Sequence, residues 1–112
     1  MKWHEVDPAL RRQAARVSGG QIFPFKHGFY GGCGAVLTED EAWDRLFQNM
    51  CQWQQVFRHK KGGIYIIMAI GTSTETGREV VIYRHLAPHS VGVWVRDMEE
   101  FYELGRFERL EA

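Results

Sequence analysis

The sequence predicts an α+β protein in which a helical N-terminal part packs on a small antiparallel β-barrel. Three observations carry that expectation. Two segments of the N-terminal half repeat apolar residues at helical spacing behind capping residues. The C-terminal half switches to short apolar runs separated by turn residues, the pattern of strands. The chain has 112 residues, 45% of them hydrophobic, with four Trp, four Tyr and seven Phe, which is enough for a packed core without metal or disulfide support.

Asp7-Pro8 opens the first helix as an N-cap followed by proline at the first helical position. Leu10, Ala14 and Val17 follow at helical spacing, and Ser18-Gly19-Gly20 stops the run. Arg11, Arg12 and Arg16 fall mostly off the apolar stripe, as a solvated face or as a contact for phosphate or nucleic acid. The next segment, QIFPFKHGFYGGCGAVL, mixes aromatics with glycines. Pro24 confines any strand there to an edge, and Gly31, Gly32 and Gly34 imply a turn, a bulge or a close backbone approach. The glycine spacing is not that of a phosphate loop. Cys33 reads as a small residue packed among glycines rather than as a nucleophile with His27 or His59.

Thr38-Glu39-Asp40-Glu41 reads as a capping box for a second helix, expected from about Glu39 to Phe57. Trp43, Leu46, Phe47, Met50, Gln54 and Phe57 follow one face, with Cys51 and Trp53 on its flanks. Trp43 and Trp53 together exceed what one small domain covers, so this 39–57 helix is the expected homo-oligomer interface.

From Gly63 onward the pattern is β. IYIIMAI and EVVIY form two strands, joined by Thr74-Glu75-Thr76-Gly77 with Gly77 taking positive φ. VGVWVR is a third strand after Ala87-Pro88-His89-Ser90. Asp97 then caps a single helical turn, MEEFYE, and RFERL closes as a short strand. Short strands with tight turns imply a small, strongly bent barrel.

Composition narrows the function. Fourteen basic residues balance fourteen acidic ones, so bulk charge advertises neither nucleic acid nor membrane, and any anion site is local. Two cysteines are too few for a disulfide scaffold. The first twenty residues lack a signal-peptide apolar run, so the expected location is cytoplasmic, with Cys33 and Cys51 reduced. Five scattered histidines form no ligand motif, and His85 and His89 are separated by Pro88. Glu99 and Glu100 are adjacent rather than facing. With neither a catalytic constellation nor a metal or cofactor motif, the chain reads as a binding protein rather than an enzyme.

The order HKKGGIY, STETGREVVIYR, WVRDMEEF and RFERL resembles DUF1653, a small bacterial and phage family of unknown function. The resemblance implies an SH3-like antiparallel β-barrel over residues 59–112, behind a helical and glycine–aromatic segment over residues 1–58. It marks His59, Lys61, Gly63, Tyr65, Glu75, Thr76, Tyr83, Trp94, Arg96 and Phe101. Ser73-Thr74 stands where the family has His-Ser, Asp97 where it has proline, and Glu100 where it has methionine.

The hydroxyl-rich TSTETG loop, nearby cations and strand aromatics together suggest a site for a small phosphorylated ligand, a nucleotide first among the candidates. The expected ligand-binding residues are Lys61, Tyr65, Thr74, Glu75, Thr76, Tyr83, Arg84, Trp94 and Arg96, with no metal site. In a phage, such a protein would sequester a nucleotide signal. One alternative is an SH3-like module that takes a partner protein in an aromatic groove. Another is weak nucleic-acid binding through Arg11, Arg12 and Arg16.

Overall fold

The computed structural model describes every residue except Cys33 and residues 89–91, with the side chain of Leu104 also left undescribed. The protein is α+β, its described residues forming three α-helices, a three-stranded sheet and a five-stranded sheet. Helix α1 spans Pro8–Val17. Asp7 caps it, its carboxylate accepting from the Ala9 and Leu10 amides at 2.8 and 3.4 Å. Strands β1 (Ile22–Phe25), β2 (Gly28–Gly31) and β3 (Gly34–Val36) form an antiparallel meander, with Pro24 on the edge strand β1. At Gly31 a Cβ would meet the Ala42 carbonyl at 2.9 Å, so only glycine lets β2 approach the next helix so closely.

That helix, α2, spans Glu39–Trp53. Thr38 Oγ1 accepts from the Glu41 amide at 3.1 Å, and its own hydroxyl donates to the Glu41 carboxylate at 2.9 Å. Glu41 thus meets the cap at its hydroxyl. The expected end at Phe57 needs correction: Gln54 is extended, and Val56–His59 is strand β4. Val56 and Phe57 are both buried although adjacent, because a strand sends neighbours to opposite faces and both faces here are covered. A helix would have placed both on one flank.

Strands β5 (Ile64–Thr72), β6 (Glu79–Ala87) and β7 (Val93–Asp97) continue from β4. Helix α3 (Met98–Tyr102) and strand β8 (Phe107–Arg109) return the chain beside β4. The sheet order is β7-β6-β5-β4-β8, every neighbouring pair antiparallel. The expected barrel does not close, since β7 and β8 lie at opposite edges. Closure would need one face to be an interior. Instead α1 and α2 cover one face with Phe47, Met50 and Ala15 against Val56, Ile64 and Leu86. On the other face, Phe101 of α3 packs among Phe57, Val81 and Tyr83. Register shifts in β5 at Ile64/Tyr65 and Ile67/Ala69 bend the sheet without closing it.

The three arginines of α1 bind the helices together. Arg11 and Arg12 each grip Asp44 of α2 through two hydrogen bonds of 2.9 to 3.1 Å, and Arg16 lies 5.1 Å over the Trp43 ring. They form neither a simple solvated face nor a free cationic stripe. No described helix is long and apolar enough to cross a membrane.

Candidate functional site

The face of the sheet away from α1 and α2 carries an aromatic and imidazole cluster. Strand pairing builds it: Tyr65 of β5 lies opposite His85 of β6, and Ile67 lies opposite Tyr83. Tyr65 and His85 stack with ring centroids 4.6 Å apart and planes inclined by 20°. Tyr83, Phe107 and His59 meet the Tyr65 ring at 5.6, 5.5 and 6.3 Å. The stack faces a cavity of about 370 Å³ lined by His59, Lys61, Gly63, Tyr65, His85 and Pro88. That volume is within the range of small-ligand pockets.

Two hydrogen bonds set the imidazoles. His59 Nδ1 accepts from the Lys61 amide at 3.1 Å, which places the proton of the neutral ring on Nε2. His85 Nε2 lies 2.6 Å from the Ala87 carbonyl, and a carbonyl only accepts, so His85 donates there. Gly63 leaves the cavity its opening. A Cβ at that position would come within 3.0 Å of the Tyr65 ring and 3.2 Å of His85 Nε2.

The electrostatics are one-sided. Burial lowers the His59 pKa, and the charges of Lys61, Lys60, Arg96 and Arg106 lower it further. Burial raises the Tyr65 pKa, helped by Tyr83 and opposed by Arg96. Arg96 Nε donates to the Tyr83 hydroxyl at 3.4 Å. Several cations therefore surround a half-buried neutral imidazole beside a flat ring pair, which suits an anion attached to a planar group.

Of the residues the sequence pointed to, Lys61 and Tyr65 line this cavity. Tyr83 and Arg96 stand next to Tyr65 on the same sheet face. Trp94 lies opposite Tyr83 in register and shares that face, exposed to solvent. The structure does not bring Arg84 or the TSTETG loop to them. Arg84 belongs to the opposite face, where it donates to the Val17 carbonyl at 3.2 Å. Thr74, Glu75 and Thr76 sit at the far tip of the β5–β6 hairpin, and about 3.3 Å per strand residue separates Thr72 from Tyr65 by roughly 20 Å.

The loop hydroxyls hold the turn. Ser73 Oγ accepts from the amides of Glu75 and Thr76, both at 3.3 Å, and Thr76 Oγ1 accepts from the Arg78 amide at 3.2 Å. The Gly77 amide donates to the Ser73 carbonyl at 2.9 Å, and Gly77 has φ of 72° as expected. Four successive amides are thereby spent inside the turn, leaving no nest of donors for an anion there. Glu75 makes no ion pair with Arg84 or Arg96.

His59 and His85 are the additions. Strand parity signalled His85: residues 81, 83 and 85 share a face, so selecting Tyr83 brings His85 in and sends Arg84 away. Other sequence-based candidates carry less. Cys51 is buried, and burial pushes its thiol pKa up to about 12, which makes it inert. Cys33 and His89 lie outside the described residues. Among the described residues, no group of three His, Cys, Asp or Glu side chains is arranged to hold a metal ion.

No curated protein and no solved structure matches the chain. A family model described as a protein of unknown function, DUF1653, matches residues 55–109, from just before β4 through β8. Residues 55–109, which carry the whole five-stranded sheet and its aromatic–imidazole cavity, belong to the DUF1653 family.

Proposed function

We propose that the protein is a non-enzymatic binder of a small phosphorylated ligand, a nucleotide first among the candidates, held in the His59–Tyr65–His85 cavity. The observation that carries this reading is the ring stack at the edge of a cavity with Lys60, Lys61, Arg96 and Arg106 acting on His59. The half-buried Tyr65 ring, backed by the buried His85, accepts a base edge or face. Lys61 and His59 Nε2–H supply donors to phosphate oxygens, and Arg96, held by the Tyr83 hydroxyl, adds positive charge. Relative to the sequence-based expectation, this reading keeps Lys61, Tyr65, Tyr83 and Arg96 and leaves out Arg84 and the hairpin-tip residues Thr74, Glu75 and Thr76.

A thermal-shift panel of mono-, di- and cyclic nucleotides, with inorganic phosphate and pyrophosphate alongside, tests the proposal. A ligand at a hundredfold excess over its dissociation constant adds about 2.7 kcal/mol of apparent stability. The expected result is a clear shift with at least one nucleotide that Arg96→Ala and Lys61→Ala each diminish. Replacing Thr72–Arg78 by a short Asn-Gly turn leaves the shift intact, because the loop is remote. No shift with any member of the panel overturns the reading, as does a shift that depends on the loop and not on Lys61.

A further inference from the structure

Strand β7 is an edge of the five-stranded sheet among the described strands, and its exposure is unusual for an edge. Val93, Trp94 and Val95 are 57%, 54% and 64% exposed, three consecutive large apolar side chains on alternating faces. Edges of this kind are ordinarily protected by proline, lysine or a bulge. β7 has no proline, no lysine and no bulge, its register with β6 running from Val80↔Asp97 to Arg84↔Val93 without a shift, and its charges, Arg96 and Asp97, are confined to its C-terminal end. The other sheet shows the protected form, with Pro24 on its edge strand β1.

The backbone of this edge is also set out for pairing. The His85 amide donates to the Gly92 carbonyl at 2.8 Å, which makes His85 and Gly92 a hydrogen-bonded pair. Alternation then turns residues 94 and 96 toward β6 and leaves the amides of Val93, Val95 and Asp97 pointing outward. Read backwards, β7 offers Trp94 an Arg96 and Val95 a Val95, while Asp97 keeps Arg78 of its own chain at 3.8 Å. An antiparallel copy centred on Val95 sets Val95 against Val95, Val93 against Asp97, and Trp94 against Arg96. The last are non-hydrogen-bonded neighbours, with Cβ atoms about 4.5–5.5 Å apart, close enough for a guanidinium to lie over an indole.

We infer that β7 is a self-recognition strand: two copies of this chain pair antiparallel through it about a two-fold axis at Val95, making one continuous sheet. Each copy contributes its Trp94 to the Arg96 of the other, on the face that bears the aromatic cavity. A two-fold interface of this kind closes on itself, which caps both edges and stops further strand addition. The occupant is a second copy because the Arg96 guanidinium and the exposed Trp94 indole of the edge come opposite each other only in that register.

Sedimentation equilibrium of the full chain over a wide concentration range tests this without any ligand, so its failure is distinct from failure of the binding proposal. The wild type is expected at twice the 13.0 kDa chain mass. Val95→Lys places like charges directly opposite each other at the axis. That variant is expected at the monomer mass, with its circular dichroism spectrum and cooperative unfolding retained because residue 95 is exposed. Trp53→Ala, on the outer end of α2, leaves the dimer intact. A wild type that stays monomeric overturns the inference, and so does a dimer that survives Val95→Lys or is lost in Trp53→Ala.

Discussion

His59 shows how a single residue gathers information from several elements. Its ring is at the end of β4, its Nδ1 is held by the Lys61 amide, and its pKa is lowered by burial and then by four cations. An anion in the cavity opposes those cations, so binding raises the His59 pKa. The coupling is reciprocal: a ligand that raises the pKa binds more tightly as pH falls through it. An NMR titration of the His59 ring is expected to give a midpoint below 6.5 in the free protein and a higher one with ligand. A midpoint that stays fixed on saturation would remove the ligand from this cavity. In the free protein the lowered value also means that stability from the neutral ring is present above the unfolded-state pKa and declines as pH falls through the folded one.

At the scale of elements, the junction of α1 with α2 depends on Asp44. Burial alone would raise its pKa, but hydrogen bonds and charges from Arg11 and Arg12 outweigh that and lower it. With the folded pKa below the unfolded one, the contribution of Asp44 is complete above the unfolded value. It is lost as pH falls through the folded value, so the junction loosens only in acid strong enough to protonate a carboxyl held below its ordinary pKa. Asp44→Ala leaves two largely covered guanidinium groups facing each other and is expected to cost about 3 kcal/mol in urea unfolding at neutral pH. Its loss is also expected to diminish sharply at acid pH, because wild type and variant then lack the same charge. A cost under about 0.5 kcal/mol would mark the clamp as an ordinary surface pair.

For the molecule as a whole, the five-stranded sheet has two cores on its two faces. Phe101 and Phe107 stack at 4.3 Å on one side, and that core is built within the family-matched segment. The other side requires the N-terminal half: Val56, Ile64, Leu86 and Leu110 are fully buried against Val6, Ala14, Ala15, Phe47 and Met50. Residues 55–112 expressed alone are expected to expose that second face and to form an aggregating or molten species. The measurement is the near-ultraviolet circular dichroism and urea profile of the fragment beside the full chain. A cooperative, soluble fragment would show that α1 and α2 are accessory to the sheet.

The caps, turns and strand runs were legible in the sequence because they are local. Asp7-Pro8, Thr38, Pro24 on an edge and Gly77 at positive φ each act within a few residues, and each stands where expected. Asp97 shows the limit even there: it occupies the N-cap position of α3, but its carboxylate lies 3.8 Å from Arg78 and caps no amide. The strand at Val56 and the open sheet could not be read locally, since both depend on which layers cover the two faces. Parity along β6 could have placed His85 with Tyr83 and removed Arg84. That His59 and Lys61 join them is a matter of register, which brings the start of β5 against the end of β6. Sequence by itself determined the elements and the chemical types available to a site. Only the tertiary structure decided which of them meet, because a side chain's face and neighbours are fixed by strand pairing and packing across distant parts of the chain.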